Sequence, residues 1–138
     1  MKKKCFIVLF PSLIILVICA LSNITYGQEQ SPIFSVERLV VAADIQNREP
    51  IGIAETFSAS TDMVYCFLET TNIKQDTQVT FKWYYEGKEI HSYEMPLKKG
   101  DRWRTFTYKN LYGQKGTWEV AVKDASGETV KTVSFTVE

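Results

Sequence analysis

Between Val79 and Glu86 the side chains alternate without a break. Val79, Phe81, Trp83 and Tyr85 fall on one face, and Thr80, Lys82, Tyr84 and Glu86 on the other. A period of two belongs to a strand with one face in a core, whereas a helix would repeat near 3.6. Three aromatic rings on one strand face demand a second layer to bury them. The next turn residues, Glu86-Gly87-Lys88, send the chain back antiparallel through Ile90 to Leu97.

The same grammar runs through the rest of the chain. Val36 to Ile45 reads as a strand with Leu39, Val41, Ala43 and Ile45 on one face and Val40 and Ala42 on the other. Asn47 to Pro50 is expected to break it, because proline cannot donate to a ladder and disfavours helix at the residue before it. A short piece around Ile53 to Phe57 and a loop from Ser58 to Asp62 follow. Met63 to Glu69 is apolar on both faces, as in a central strand. Arg102 to Tyr108 is another strand, and Thr117 to Lys123 points Trp118, Val120 and Val122 inward. Asp124 to Gly127 makes a hairpin turn before Val130 to Val137. The pattern predicts an all-β fold, an antiparallel sandwich of about seven strands with a barrel as the alternative, and no helical stripe anywhere. Cys66 followed by Trp83 resembles the cysteine and tryptophan of immunoglobulin-like sandwiches. The late inward positions hold Val120 and Val122, so no disulfide is expected.

The amino terminus has a different character. Lys2, Lys3 and Lys4 precede an apolar run from Cys5 to Leu21, and Ser22 to Gln30 is polar. This is the layout of a secretory signal over residues 1–27, with cleavage expected after Gly27 and a flexible lead-in over 28–35. The β domain is then 36–138, secreted or periplasmic. The run is shorter than the roughly 20 residues that span a bilayer. An uncleaved anchor or lipidation at Cys19 ranks below cleavage, since Ile18 is not the small residue a lipidation site wants. Removing residues 1–27 takes three lysines and no acid, leaving 13 basic and 16 acidic side chains, a net charge near −3. No nucleic-acid partner is expected of such a balance, and no membrane contact once the signal is cut. Cys66 is the single cysteine left, which suits a domain held by its core.

Several separated strings resemble one family. Ile45-Gln46-Asn47-Arg48-Glu49-Pro50, Val64-Tyr65-Cys66-Phe67, Trp83-Tyr84-Tyr85, Trp103-Arg104-Thr105 with Lys109, and Gly116-Thr117-Trp118-Glu119-Val120 with Asp124 and Gly127 look like the bacterial secreted family catalogued as domain of unknown function 2914. The resemblance extends from about Val36 to Val137. Phe106-Thr107-Tyr108 departs from it, standing where a pair of serines is expected before Lys109. The resemblance implies a secreted or envelope-associated module and carries no activity with it.

Two polar clusters are candidates for a ligand or partner site. Arg48 and Glu49, next to Pro50 at a strand end, combine a guanidinium fork with a carboxylate that could grip a carboxylate, phosphate or sugar. The plainer alternative is an arginine paired within its own loop. Trp103 and Arg104, with Arg102 and Lys109, could form an aromatic platform flanked by cations, or Trp103 could plug the core. Tyr84, Tyr93, Tyr108 and Tyr112 are candidates for exposed stacking surfaces. Trp83 and Trp118 read as core.

Chemistry finds little purchase. His91 is the only histidine, and no Gly-x-Ser-x-Gly turn accompanies it. Cys66, Met63, Met95 and His91 fit no metal spacing, and a thiol between Tyr65 and Phe67 in a central strand should be inert. Paired acids such as Glu49 and Glu55 occur in any chain of this composition. No catalytic residue, metal or cofactor is therefore expected. The expectation is a non-enzymatic interaction module taking a protein or peptide partner, with a glycan second; the alternative is a small extracytoplasmic hydrolase or soft-metal protein on the same scaffold. The working surface should join the Arg48-Glu49-Pro50 turn to Trp103-Arg104 if folding brings them together.

Overall fold

The computed structural model describes residues 31–138; the expected signal, with its cleavage site and Cys19, lies outside them. Nine strands form two layers: β1 (Ser35–Gln46), β2 (Glu49–Ile53), β3 (Thr56–Phe57), β4 (Met63–Ile73), β5 (Thr77–Tyr85), β6 (Lys88–Leu97), β7 (Gly100–Asn110), β8 (Gly116–Lys123) and β9 (Thr129–Val137). One sheet has the order β2-β1-β4-β7 and the other β3-β9-β8-β5-β6. All pairings are antiparallel except β3 with β9. This is the all-β, immunoglobulin-like sandwich the alternation predicts, with nine strands rather than about seven.

The core sits between the layers. Val79, Phe81 and Trp83 of β5, Trp118, Val120 and Val122 of β8, and Phe135 and Val137 of β9 meet Leu39, Val41, Val64, Cys66 and Leu68 of the facing sheet. Trp83 and Trp118 are completely buried. Each large apolar side chain so buried contributes roughly 1.5–3 kcal/mol. The indole N–H of Trp83 donates to Thr107 Oγ1 across the layers at 3.1 Å, and among the described residues no buried side-chain nitrogen or oxygen lacks a partner. Cys66 is free and buried. Phe34 also packs into the core, and β1 begins at Ser35.

The surplus over seven strands comes from β2 and β3. Asn47 to Pro50 does not end the strand region as expected; Asn47 (φ 50°) and Arg48 (φ 61°) make a two-residue turn, and Pro50 sits opposite Ile45 in β2. A proline is tolerated there because β2 is an edge strand. The expected faces of β1 also fail beyond Val41. Ala42 is buried and Ala43 exposed, because the β1–β2 ribbon bends over the outside of its own sheet. Gly52 (φ +72°) lies opposite Ala43, and a Cβ there would stand 3.0 Å from that of Ala43, so glycine is needed at the bend.

Candidate functional site

The bend is what builds the site. In a straight ribbon Glu49, opposite Gln46, would lie eight residues beyond Arg38 along β1, about 26 Å away at 3.3 Å per residue. Instead Glu49 Oε2 accepts a hydrogen bond from Arg38 Nη2 at 2.9 Å. The hairpin tip has therefore come back over the sheet's outer face.

A slip in register prepares its landing place. A bulge between Val36 and Arg38 sets Arg38 opposite Glu69, and on the other side of β4 Glu69 faces Arg104. Glu69 is 3% exposed, so its charge requires partners. It has three: Arg104 Nε at 2.9 Å, Arg38 Nη2 at 3.1 Å and Arg102 Nη2 at 3.3 Å. Arg104 Nη1 reaches Glu49 Oε1 at 3.0 Å, which ties the hairpin to β7. Burial alone would raise the Glu69 pKa. Hydrogen bonds from Arg38 and Arg104, with the positive charge of Arg102 nearby, outweigh burial and hold the carboxyl below its ordinary value. The Arg38 guanidinium also lies 5.0 Å over the Phe67 ring, which is 1% exposed although it points out of the sandwich.

Between the hairpin tip and β7 is a cavity of about 390 Å³ lined by Arg48, Phe67, Met95, Arg104, Thr105 and Phe106. Phe67 lines it from β4, and Met95 from β6 in the opposite sheet. Beyond it the outer face is aromatic. Tyr65 meets Phe106 and Tyr108 at 5.9 and 6.1 Å between ring centroids, and Phe106 and Tyr108 are exposed.

Of the five site residues expected from the sequence, Arg48 and Arg104 line this cavity and Glu49 pairs with Arg104. Trp103 has the opposite orientation on β7 and packs half-buried against the core. Lys109 lies six residues from it on β7, with its ammonium 5.9 Å from the ring of Tyr112. Among the tyrosines, Tyr108 and Tyr112 are exposed while Tyr84 and Tyr93 are half-covered. Arg38, Glu69, Phe67 and Met95 were not singled out for this site. A carboxylate ending the run Val64-Tyr65-Cys66-Phe67-Leu68 was the available signal, since such a position is buried only with cationic partners. Cys66 and His91 stand apart. The thiol is in the core, with burial pushing its pKa well above the ordinary value, and the exposed His91 stacks on Tyr93 at 4.1 Å in the other sheet.

The open side of the sandwich adjoins the cavity. Register places His91, Tyr93 and Met95 of β6 on the same face as Trp83, Phe81 and Val79 of β5. The β5 residues are fully buried, yet Tyr93 and Met95 are only half-buried and His91 is exposed. The inward face of β6 thus projects past β7, where the opposing sheet stops.

Residues 76–137, from just ahead of β5 to the end of β9, match the family described as "Protein of unknown function (DUF2914)". It is the family the sequence strings resemble. Met95, Arg104, Thr105 and Phe106 fall inside the matched region, and Arg48, Phe67 and Glu69 ahead of it. No curated protein matches the chain. Among solved structures, a β-glucosidase from Erythrobacter marinus is 7% identical, with a TM-score of 0.52 over 76% of this chain and 15% of that one. A β-glucosidase from Kluyveromyces marxianus is 10% identical, with a TM-score of 0.45 over 76% of this chain and 14% of that one. The chain spans about a seventh of the length of these enzymes, and the likeness to the Erythrobacter marinus enzyme is one of fold alone.

Proposed function

We propose that this chain, a β-sandwich bearing the DUF2914 region, is a non-catalytic binding domain that works outside the cytoplasm and captures an extended segment of a partner protein along β7. The supporting observation is that, among the described residues, β7 pairs with β4 alone, beside the half-covered inward face of β6. A strand edge is a row of unpaired donors and acceptors, and proteins normally blunt it. Three of the four edges here are blunted. β2 has five residues including Pro50 and Gly52, β3 has two residues, and β6 carries Pro96; charge does not separate β6 from β7, which itself carries Asp101, Arg102, Arg104 and Lys109. β7 runs for eleven residues without proline and in one continuous register with β4 between Thr71–Arg102 and Met63–Asn110. Its middle, Thr105-Phe106-Thr107-Tyr108, is uncharged.

A strand added beside β7 would extend the four-stranded sheet over Tyr93 and Met95, giving backbone hydrogen bonds and apolar burial together. The location outside the cytoplasm is supported by the basic and apolar pattern of residues 1–21 followed by a polar stretch. The burial of Cys66 and its separation from His91 support a role in binding rather than nucleophilic chemistry.

A photo-crosslinking amino acid placed at Phe106, and separately at Val130 on β9, tests the reading with peptides selected from a random display library against the protein. Crosslinks at position 106 and none at 130 are expected. Crosslinking at 130 alone, or turnover of a substrate that is lost on replacing His91 or Cys66, overturns it.

A further inference from the structure

The charges around the cavity do not balance, and the imbalance bears on what the captured segment carries. Arg38, Arg102 and Arg104 share the carboxylates of Glu49 and Glu69. Arg48 adds a fourth guanidinium. It is exposed, lines the cavity, and among the described residues makes no ion pair. Four cations thus share two anions in this cluster, and two of the cations, Arg48 and Arg104, line the cavity beside Phe67, Met95 and Phe106.

The position of Arg48 is unfavourable for its own backbone. It has φ 61° in the second place of a two-residue hairpin turn, where glycine after asparagine is the preferred choice. An arginine there strains the turn and gains no partner within the described chain. Its fork is left free to accept one carboxylate in two parallel hydrogen bonds. Met95, Phe67 and Phe106 supply the adaptable apolar part of the cavity's lining.

We infer that the segment captured along β7 presents a carboxylate to Arg48 and places an adjacent apolar side chain in the cavity between Phe67, Met95 and Phe106. This rests on the β7-edge reading and narrows it to acidic peptides. A carboxylate suits the geometry better than a phosphate, because the other three arginines are committed to glutamates and one free fork remains.

The test is fluorescence anisotropy on the full protein with labelled eight-residue extended peptides. Each carries one leucine beside glutamate, glutamine, phosphoserine or lysine. A second pair holds no side-chain acid and ends in a free carboxylate or an amide, which separates a side-chain source from a terminal one. The glutamate peptide is expected to bind at least tenfold tighter than the glutamine peptide, and a gap seen only between the free-carboxylate and amide peptides overturns the inference. Arg48→Gln should remove that gap, and Arg48→Glu should turn the preference toward lysine. Arg48→Gly serves as the folding control and should melt no lower than the wild type, since it relieves the turn. Equal binding of charged and neutral peptides, a gap that survives Arg48→Gln, or a phosphoserine peptide tighter than both carboxylates overturns this inference alone. Absence of binding by every peptide overturns the β7-edge reading and this inference with it.

Discussion

Single residues carry the polar ties of this fold, and Thr107 is the clearest of them. The residue is 4% exposed, and its hydroxyl accepts the indole N–H of Trp83 from the opposite sheet. Thr107→Val keeps the shape and removes the acceptor, stranding a buried donor. A loss of about 1–3 kcal/mol in urea unfolding is expected, with the midpoint shifted and the slope unchanged. The residue scale also shows what sequence patterning does and does not convey. Alternation in β5 and β8 revealed Trp83 and Trp118 as core because burial of a strand face depends on nearest neighbours two apart. Glu69 was legible only as the end of an apolar run. Its partners Arg38 and Arg104 are 31 and 35 residues away, and nothing local announces them.

At the scale of elements, the β1–β2 hairpin is held down by ion pairs rather than by a ladder. Removing Glu69 leaves Arg38, Arg102 and Arg104 facing one another with only Glu49 between them. Breaking a fully buried pair costs about 3–5 kcal/mol. The arginine side chains here remain 27–55% exposed, so water screens part of the repulsion. Glu69→Ala is expected to cost about 2 kcal/mol, with the loss reduced in high salt. The pH dependence has a definite sign. The folded carboxyl titrates below its ordinary value of 4.5, so its contribution is present above that pH and is lost as pH falls through the folded value. Thermal melts from pH 5 down to pH 3 should therefore show a steeper fall for the wild type than for Glu69→Gln. The bend itself was hidden in the sequence. Pro50 reads as a terminator, and only the tight turn at Asn47-Arg48 with glycine opposite Ala43 lets an edge ribbon fold back instead.

For the molecule as a whole, two sheets share one core and no disulfide spans the layers among the described residues, so packing bears the stability. Trp118 is fully buried, stacking on Phe135 with centroids 5.8 Å apart, whereas Trp103 is only half-buried against the core. Trp118→Ala is expected to cost about 3–5 kcal/mol and to unfold much of the protein at 37 °C, with Trp103→Ala costing less. Calorimetry on both variants checks the order. The sandwich, its hairpin turns at Glu86-Gly87 and Asp124-Gly127, and the inward faces of β5, β8 and β9 were readable because each follows from local period and turn chemistry. Which edge is left open was not readable, since that depends on where one sheet ends against the other.

The most direct measurement of the central claim is amide hydrogen exchange across β7, read residue by residue with and without a bound glutamate-bearing peptide. In the free protein, β7 amides directed toward β4 should exchange slowly and those on the open edge quickly. With peptide bound, the open-edge amides between Thr105 and Tyr108 should slow at least tenfold. Unchanged β7 rates in the bound state, or new protection confined to β2, β3 or β6, would contradict the account.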